Sequence, residues 1–314
     1  MGVTDISNAT GPKEFSKFLE EANKLILGKP DELKLALCCL LSRGHILIED
    51  LPGMGKTTFV MVISHLLGLN LNRVQFTNDI LPADILGTNI YDKDTKSFSF
   101  HPGPIFAEVV LGDELNRATP KTQSAFLQAM EERQVTVDGT THALPEPFFL
   151  IATQNPTDQA GTYPLPESQL DRFMMRLSLG YPSKQSEMNI LKAGDSRNKI
   201  LQTAKVLSGA QLVATQNKVD EVHVSDALIE YVQLILEKSR QMDAMGGLSP
   251  RAGLLLINAA KSWAYLEGRS MVLPEDVKAV AAAVLSHRLN GGQLTRLSAG
   301  EEVVHKMLSE ISVP

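Results

Sequence analysis

The chain has 314 residues and a net charge of −6, with 43% hydrophobic and 21% charged residues. It is long enough for two domains with full cores, and its acidic balance argues against general binding to nucleic acid, which requires a basic surface. No apolar stretch approaches the roughly 20 residues of a membrane span, and residues 1–15 lack the apolar segment of a signal peptide. The neighbouring Cys38 and Cys39 lie in an apolar run, which indicates buried free thiols. We therefore expect a soluble cytoplasmic protein.

The beginning of the chain predicts helices around one buried strand. Apolar residues recur at helical spacing from Phe15 to about Leu41, with a break at the Gly-Lys-Pro turn of residues 28–30. Residues 45–50 (HILIED) are rich in β-branched side chains and predict a buried strand, and residues 57–69 again have a helical pattern. The segment between strand and helix contains two glycines, an arrangement in which many proteins bind phosphate.

The middle of the chain alternates strands with helices. Residues 107–114 (AEVVLGDE) and 148–156 (FFLIATQNP) predict two further buried strands, with a helical segment at 119–133 between them. Such alternation is typical of an α/β fold with an open parallel sheet and helices on its faces. Asp138-Gly139 indicates a β-hairpin, and the irregular residues 79–106 indicate a loop or hairpin insertion.

From about residue 185 onward the sequence contains helical stretches and no strand-like run. Ser249 followed by Pro250 is a typical helix start, and Pro274 followed by two acidic residues begins another helix. We therefore predict an α/β domain of residues 1–182 and a smaller, all-helical domain of residues 183–314.

The segment IEDLPGMGKTT (Ile48–Thr58) is a candidate phosphate-binding loop. The usual pattern is Gly, four residues, then Gly-Lys-Ser/Thr, and here Asp50 replaces the first glycine. Glycines let backbone N–H groups face phosphates, a lysine can reach the β- and γ-phosphates, and a threonine hydroxyl can bind Mg²⁺. The flanking strand and helix favour a nucleotide site over a surface lysine at an ordinary helix start. We predict that ATP is bound by Asp50, Leu51, Pro52, Gly53, Met54, Gly55, Lys56, Thr57 and Thr58.

Asp50 needs a separate explanation because a carboxylate facing the phosphates would repel them. Aspartate tolerates unusual backbone angles better than most residues, so it can replace a glycine at the turn out of a strand. We expect its side chain to point away from the phosphates and to cap local N–H groups.

Two predicted strands end in polar residues that suit catalysis. Asp113 would bind Mg²⁺ together with Thr57, and Glu114 would act as the general base that activates the attacking water. Asn155 follows the third strand and can orient the same water, although the turn-forming Asn-Pro pair explains this residue equally well. An Asp-Glu pair at a strand end is by itself often a solvated turn, and its predicted position beside the phosphate loop favours the catalytic role.

Four segments of the sequence resemble the MoxR family of AAA+ ATPases, relatives of the magnesium chelatase motor subunit. They are EDLPGMGKT, LGDELNRATPKTQSAFLQAMEER, ATQNP and GTYPLPESQLDRF, in the family's order and spacing. The resemblance extends over nearly the whole chain. It implies a P-loop core with a three-layer parallel sheet, a helical lid and a ring oligomer, typically a homo-hexamer. ATP would lie between core and lid and against the neighbouring subunit.

The resemblance also implies roles for individual side chains. Asn155 looks like the first sensor of the γ-phosphate, and Lys56 like the lysine that contacts the β- and γ-phosphates. Arg251 looks like the second sensor, and a cation in the first turn of a helix is poorly placed unless it has an anionic partner. Arg172 resembles the finger arginine that reaches the ATP of an adjacent subunit. Arg176 is a rival for this role, and Arg117 is a further candidate at the subunit interface.

The two predicted hairpin regions resemble elements that in this family touch a client protein, although each could simply close a sheet edge. The leading hypothesis is a Mg²⁺-dependent ATPase ring in which lid closure couples hydrolysis to remodelling of a client. The client would be reached through a partner with a von Willebrand A domain, for maturation of a metal- or cofactor-containing enzyme. One alternative is a nucleotide-dependent switch or scaffold with little turnover, which Glu114 and Arg172 disfavour. A DNA-associated motor is another, which the acidic charge disfavours.

Overall fold

The computed structural model describes residues 13–94, 96–155, 161–193, 197–242, 247–289 and 297–312. The N-terminal stretch on which the signal-peptide expectation depends lies almost entirely outside these ranges. Within them, no helix combines the length and the apolar character that crossing a membrane requires.

Helices and strands alternate up to residue 177, and helices follow. The helices of the first part are α1 (Lys13–Leu25), α2 (Pro30–Leu41), α3 (Lys56–Leu66), α4 (Pro82–Leu86), α5 (Pro120–Glu132) and α6 (Glu167–Leu170). The strands are β1 (Ile46–Glu49), β2 (Leu71–Gln75), β3 (Gly87–Asp92), β4 (Ser97–Pro102), β5 (Val109–Asp113), β6 (Gln134–Val137), β7 (Thr140–Ala143), β8 (Phe149–Gln154) and β9 (Met175–Leu177). The later helices are α7 (Lys184–Ala193), α8 (Arg197–Gln202), α9 (Gly209–Asp220), α10 (Asp226–Arg240), α11 (Pro250–Leu266), α12 (Pro274–Leu289) and α13 (Leu297–Ser309).

The central sheet has five parallel strands in the order β2–β5–β8–β1–β9. The α/β fold class predicted from the sequence is therefore confirmed, as are the strands β1, β5 and β8. Two strands were not predicted. β2 lies at the sheet edge with mostly exposed side chains, and the three residues of β9 include a buried arginine, so neither has a recognisable apolar pattern.

Both predicted hairpins form outside the central sheet. β3 and β4 pair within the insertion of residues 79–106, and β6 and β7 pair across Asp138-Gly139, whose φ values are 48° and 82°. Positive φ at both central residues is the geometry of the tightest hairpin turns. The hairpins contact each other, because Asn89 Nδ2 donates to Asp138 Oδ2 at 2.8 Å and Phe100 stacks on His142 with ring centroids 3.8 Å apart.

Each face of the sheet has its own hydrophobic core because successive strand residues point to opposite faces. Ile46 and Ile48 belong to a core that also contains buried residues of α1–α3 and α9–α13, whereas Leu47 belongs to a second core with α5, β6 and the segment before β9. The first core is continuous from the N-terminal helices into the C-terminal ones, with α2 against α9 and α11 and with α12 against β9. The helices after residue 183 thus share the core on one side of the sheet, with α12 directly against the edge strand β9. The predicted cap of α11 also forms, since Ser249 Oγ accepts from the Ala252 N–H at 3.2 Å.

Candidate nucleotide-binding site

The loop between β1 and α3 has the backbone of a phosphate cradle. Gly53 and Gly55 adopt φ values of 85° and 81°, in the left-handed region that favours glycine. A Cβ added at either position would meet no atom within 4 Å, so the backbone conformation and not crowding requires glycine here. α3 begins at Lys56, directly after the loop, and the free N–H groups of its first turn add to the attraction for an anion.

Lys56 is buried beneath this loop, and its ammonium has three acceptors, of which the Leu51 backbone oxygen at 3.5 Å is the most distant. Its Nζ donates to the backbone oxygen of Asp50 at 2.6 Å and to Asn155 Oδ1 at 2.9 Å. Burial lowers the pKa of the Lys56 ammonium, and the nearby carboxylates of Asp50, Asp113 and Glu114 oppose that effect. A bound phosphate would add a further anion that stabilises the charged lysine.

Asp50 points away from the phosphate cradle, as expected, but the N–H groups that it caps are not local. Its carboxylate accepts from Ser178 Oγ at 2.8 Å, from the Gly180 N–H at 3.1 Å and from the Leu179 N–H. These donors follow β9, which pairs with β1, so sheet pairing brings the distant segment to Asp50. The expectation of a local cap was wrong because partners supplied by sheet pairing leave no trace in the neighbouring sequence. Asp50 ties the loop to the segment that follows β9.

Replacing Asp50 with Asn is expected to destabilise the protein by about 1–3 kcal/mol, because a buried charged acceptor of three hydrogen bonds is lost. The free energy of unfolding in urea measures this change. Asp84→Asn is the matched control, since Asp84 Oδ2 accepts from the exposed Leu81 N–H and from no other donor in the described part of the chain. If Asp50→Asn unfolds at the same urea concentration as Asp84→Asn and the parent, Asp50 does not hold the loop.

The predicted metal ligand and general base lie at the carboxyl end of β5. Thr153 Oγ1 donates to Asp113 Oδ1 at 2.6 Å and accepts from the Glu114 N–H at 3.0 Å. Glu114 has φ 58°, an uncommon angle for a residue with a side chain, and such strain is frequent at functional sites. Asn155 Nδ2 donates to Glu114 Oε1 at 3.3 Å, and Arg117 Nη1 lies 3.1 Å from Glu114 Oε2. Asn155 therefore connects the lysine of the phosphate loop to the predicted base.

Thr57 and Asp113 have the chemistry of a Mg²⁺ site. A hydroxyl and a carboxylate are hard oxygen ligands, and Mg²⁺ usually keeps several waters and binds substrate phosphates in addition to one or two protein groups. Within the described part of the chain no cluster of three or more His, Cys, Asp or Glu side chains could hold a metal. The donor set therefore fits a cation held mainly by phosphate and water.

A cavity of about 380 Å³ extends from the phosphate loop and has the size of a nucleotide pocket. It is formed by the turn between α1 and α2, by the loop and the first turns of α3, by residues 179–182 and by α7. Ile26, Leu27, Phe59 and Ile190 give it an apolar wall that suits a base. The sequence predicted the turn between α1 and α2 but not that this turn lines the cavity. Segments that are remote in sequence leave no local motif when they form one cavity.

Arg172 and Arg251 lie together, away from the phosphate loop of their own chain. Glu131 bridges them, 3.0 Å from Arg172 Nε and 3.1 Å from Arg251 Nη1, and Arg251 Nε is 3.6 Å from Asp171 Oδ2. They share a cavity with His45, the residue before β1, whereas the phosphate loop follows the other end of β1. The four residues of β1 span about 13 Å at the usual strand rise. The structure thus does not bring Arg251 to its own phosphate loop.

The two other candidate arginines form ion pairs with carboxylates of their own chain. Arg176 is buried in β9 and forms an ion pair with the buried Glu49 of β1, so it cannot reach a neighbouring subunit. Arg172 and Arg117 therefore remain the candidates for contact with a neighbouring ATP, and Arg117 forms an ion pair with Glu114 of its own chain.

Arg288 of α12 was not identified from the sequence and fixes the segment that carries Arg172. Its guanidinium donates to Asp171 Oδ1 at 2.8 Å, to the backbone oxygen of Asp171 at 2.9 Å and to the backbone oxygen of Phe173 at 2.8 Å. Its neighbour His287 also contacts the Phe173 oxygen. A basic residue at the end of a helix is usually exposed, so only the fold reveals this buried contact.

Comparison with known proteins agrees with this architecture. The model of the ATPase family associated with various cellular activities (AAA) matches residues 45–175, and that of the AAA lid domain matches residues 241–307. The uncharacterized protein YeaC of Bacillus subtilis is 41% identical over 95% of this chain and 94% of its own. Chaperone MoxR1 of Mycobacterium tuberculosis is 38% identical over 94% of this chain and 81% of its own. A crystal structure from Cytophaga hutchinsonii, provisionally described as an ATPase, has a TM-score of 0.86 and 33% identity, covering 96% of this chain and 95% of that one.

These matches, together with the phosphate loop and the helices that follow the sheet, define an AAA+ ATPase, an enzyme that binds and hydrolyses ATP. Within that class the chain belongs to the MoxR family, because its identity to MoxR1 extends over most of both chains. The resemblance found in the sequence is thereby confirmed.

Proposed function

We propose that this ATPase works as a Mg²⁺-dependent ring, typically a homo-hexamer, that remodels a client protein. The observation that carries the proposal is the position of Arg172 and Arg251 near the amino end of β1, whereas their own phosphate loop follows its carboxyl end. The Arg251 side chain is 47% exposed, so another molecule can reach it in competition with Glu131. Both arginines are then suited to the ATP of a neighbouring subunit, where a finger arginine stabilises the transferred phosphoryl group.

Within one chain, the contacts at the phosphate loop suggest a role for each residue of the site. Lys56 would bind the β- and γ-phosphates, and Thr57 and Asp113 would hold Mg²⁺, which neutralises charge on the phosphates. Glu114 would take the proton of the attacking water while Asn155 orients that water. We also propose the boundary near residue 182 between the nucleotide-binding domain and the lid.

The pair of contacting hairpins, β3–β4 and β6–β7, is the proposed client-binding element. Tyr91 and Phe98 are 50% and 71% exposed on β3–β4, with ring centroids 5.2 Å apart. Exposed aromatic side chains are costly to leave in water and are enriched where proteins bind each other. A partner with a von Willebrand A domain would deliver the client, and the proposed role is maturation of a metal- or cofactor-containing enzyme. The name of the relative MoxR1 supports a chaperone-like activity.

Affinity capture tests the proposal most directly. Glu114→Gln protein saturated with ATP is expected to retain client and partner, because it stays in the ATP-bound state without hydrolysing the ATP. Captured proteins are identified by mass spectrometry, with the parent protein in ADP as control. Tyr91→Ser/Phe98→Ser in the Glu114→Gln background should lose the same proteins if the hairpins bind them. Equal recovery from the two nucleotide states would contradict an ATP-driven remodelling cycle.

A further inference from the structure

Arg73 of β2 contacts the predicted metal ligand Asp113. Its Nη2 and Nε donate to the same carboxylate oxygen, Oδ2, at 2.6 and 3.2 Å. Gln75 Oε1 accepts from Nη2 at 2.8 Å and orients the guanidinium. β2 and β5 pair in parallel, with Gln75 opposite Asp113, so the sheet itself holds this arginine beside the end of β5.

Both oxygens of Asp113 are thereby occupied by protein donors. Thr153 Oγ1 donates to Oδ1 at 2.6 Å, and Arg73 covers Oδ2. The Asp113 side chain is 11% exposed, whereas that of Arg73 is 49% exposed and has room to move toward solvent. A cation that binds Asp113 must therefore either share the carboxylate with the Arg73 guanidinium or displace the guanidinium from it.

We propose that Arg73 is a positioning residue that holds Asp113 in the absence of metal and makes metal binding depend on nucleotide. Like charges repel, so the guanidinium disfavours a free divalent cation at Asp113. The phosphates of ATP supply the negative charge that lets Mg²⁺ and Arg73 share one carboxylate. Nucleotide and metal are then bound together and not in succession. This inference rests on the proposed Mg²⁺ dependence.

The test is a titration of nucleotide-free protein with Mn²⁺, in which electron paramagnetic resonance measures the free ion. Arg73→Gln removes the charge and keeps a hydrogen-bonding side chain, and it is expected to tighten Mn²⁺ binding up to about fivefold, the upper end of the range measured for exposed ion pairs. Arg73→Lys keeps the charge and should remain close to the parent. Asp113→Asn combined with Arg73→Gln should abolish the gain.

Lys238→Gln is the matched control, because it removes one positive charge from an ion pair with Glu310 in the helical region. It should leave the Mn²⁺ titration unchanged. A fluorescent ATP analogue in EDTA should bind Arg73→Gln no more tightly than the parent, since the variant gains affinity for metal alone. The proposal is overturned if Arg73→Gln binds Mn²⁺ like the parent, or if Arg73→Lys gains affinity as Arg73→Gln does.

The same analogue separates this inference from the function on which it rests. If Mg²⁺ does not promote binding of the analogue to the parent protein, the Mg²⁺ dependence has failed, and the role of Arg73 fails with it. If Mg²⁺ promotes binding and Arg73→Gln shows no gain for Mn²⁺, only the role of Arg73 is wrong.

Discussion

Glu114→Gln is expected to bind ATP normally and to hydrolyse it about 10²–10⁴-fold more slowly, the usual effect of losing a general base. The amide keeps the shape of the carboxylate and can still accept from Asn155 Nδ2, which lies 3.3 Å from Glu114 Oε1. It cannot take a proton from water. The strained backbone at this position is unaffected, because Glu and Gln have identical side chains as far as Cδ.

Phosphate release measures hydrolysis, and a fluorescent ATP analogue measures binding. Glu310→Gln removes a carboxylate from the helical region, where Glu310 pairs with Lys238 at 2.7 Å, and it should retain the parent rate. Turnover by Glu114→Gln at the parent rate would show that another group activates the water.

Arg172→Ala is expected to reduce hydrolysis by about 10³–10⁵-fold, the range for loss of a finger arginine, with little change in ATP affinity. The reason is that Arg172 lies with Arg251 and Glu131 near the amino end of β1, whereas its own phosphate loop follows the carboxyl end. Arg43→Ala is the control, since Arg43 lines the same cavity but donates to Asp220 and Asn217.

Mixed assemblies test whether Arg172 acts on a neighbour. Glu114→Gln subunits keep the arginine and Arg172→Ala subunits keep the base, so a ring of both contains some complete sites. Mixing the two inactive variants should therefore restore part of the phosphate release. Mixing Arg172→Ala with the Glu114→Gln/Arg172→Ala double variant should restore none. Without recovery in the first mixture, Arg172 does not act in trans.

Local sequence patterns predicted the elements that form the nucleotide site. β1, the phosphate loop and α3 are adjacent in the chain, so a run of apolar residues, two glycines and a helical pattern suffice to identify them. Asp113 and Asn155 follow directly after apolar stretches, and parallel pairing of β5, β8 and β1 brings their ends together. The sequence could thus predict three of the five strands and place Asp113 and Asn155 near the phosphates.

Features that depend on distant pairing could not be predicted in this way. Asp50 is satisfied by the segment after β9, and Arg176 is buried only because Glu49 lies on the adjacent strand. Arg251 contacts Glu131, which is remote in sequence, so its position relative to the phosphate loop was not evident. Charged residues reveal their partners only once the strand order is known.

The hydrophobic core that α1–α3 share with α9–α13 has a mechanical consequence. Swinging the C-terminal helices away from the sheet would expose much of that core, at a cost of about 25 cal/mol for each Å² of apolar surface. We therefore expect the two parts of the chain to move little relative to each other. In a ring of the proposed kind, the displacement that ATP turnover produces is therefore expected between whole subunits, and the force on a client would come from their rotation against one another.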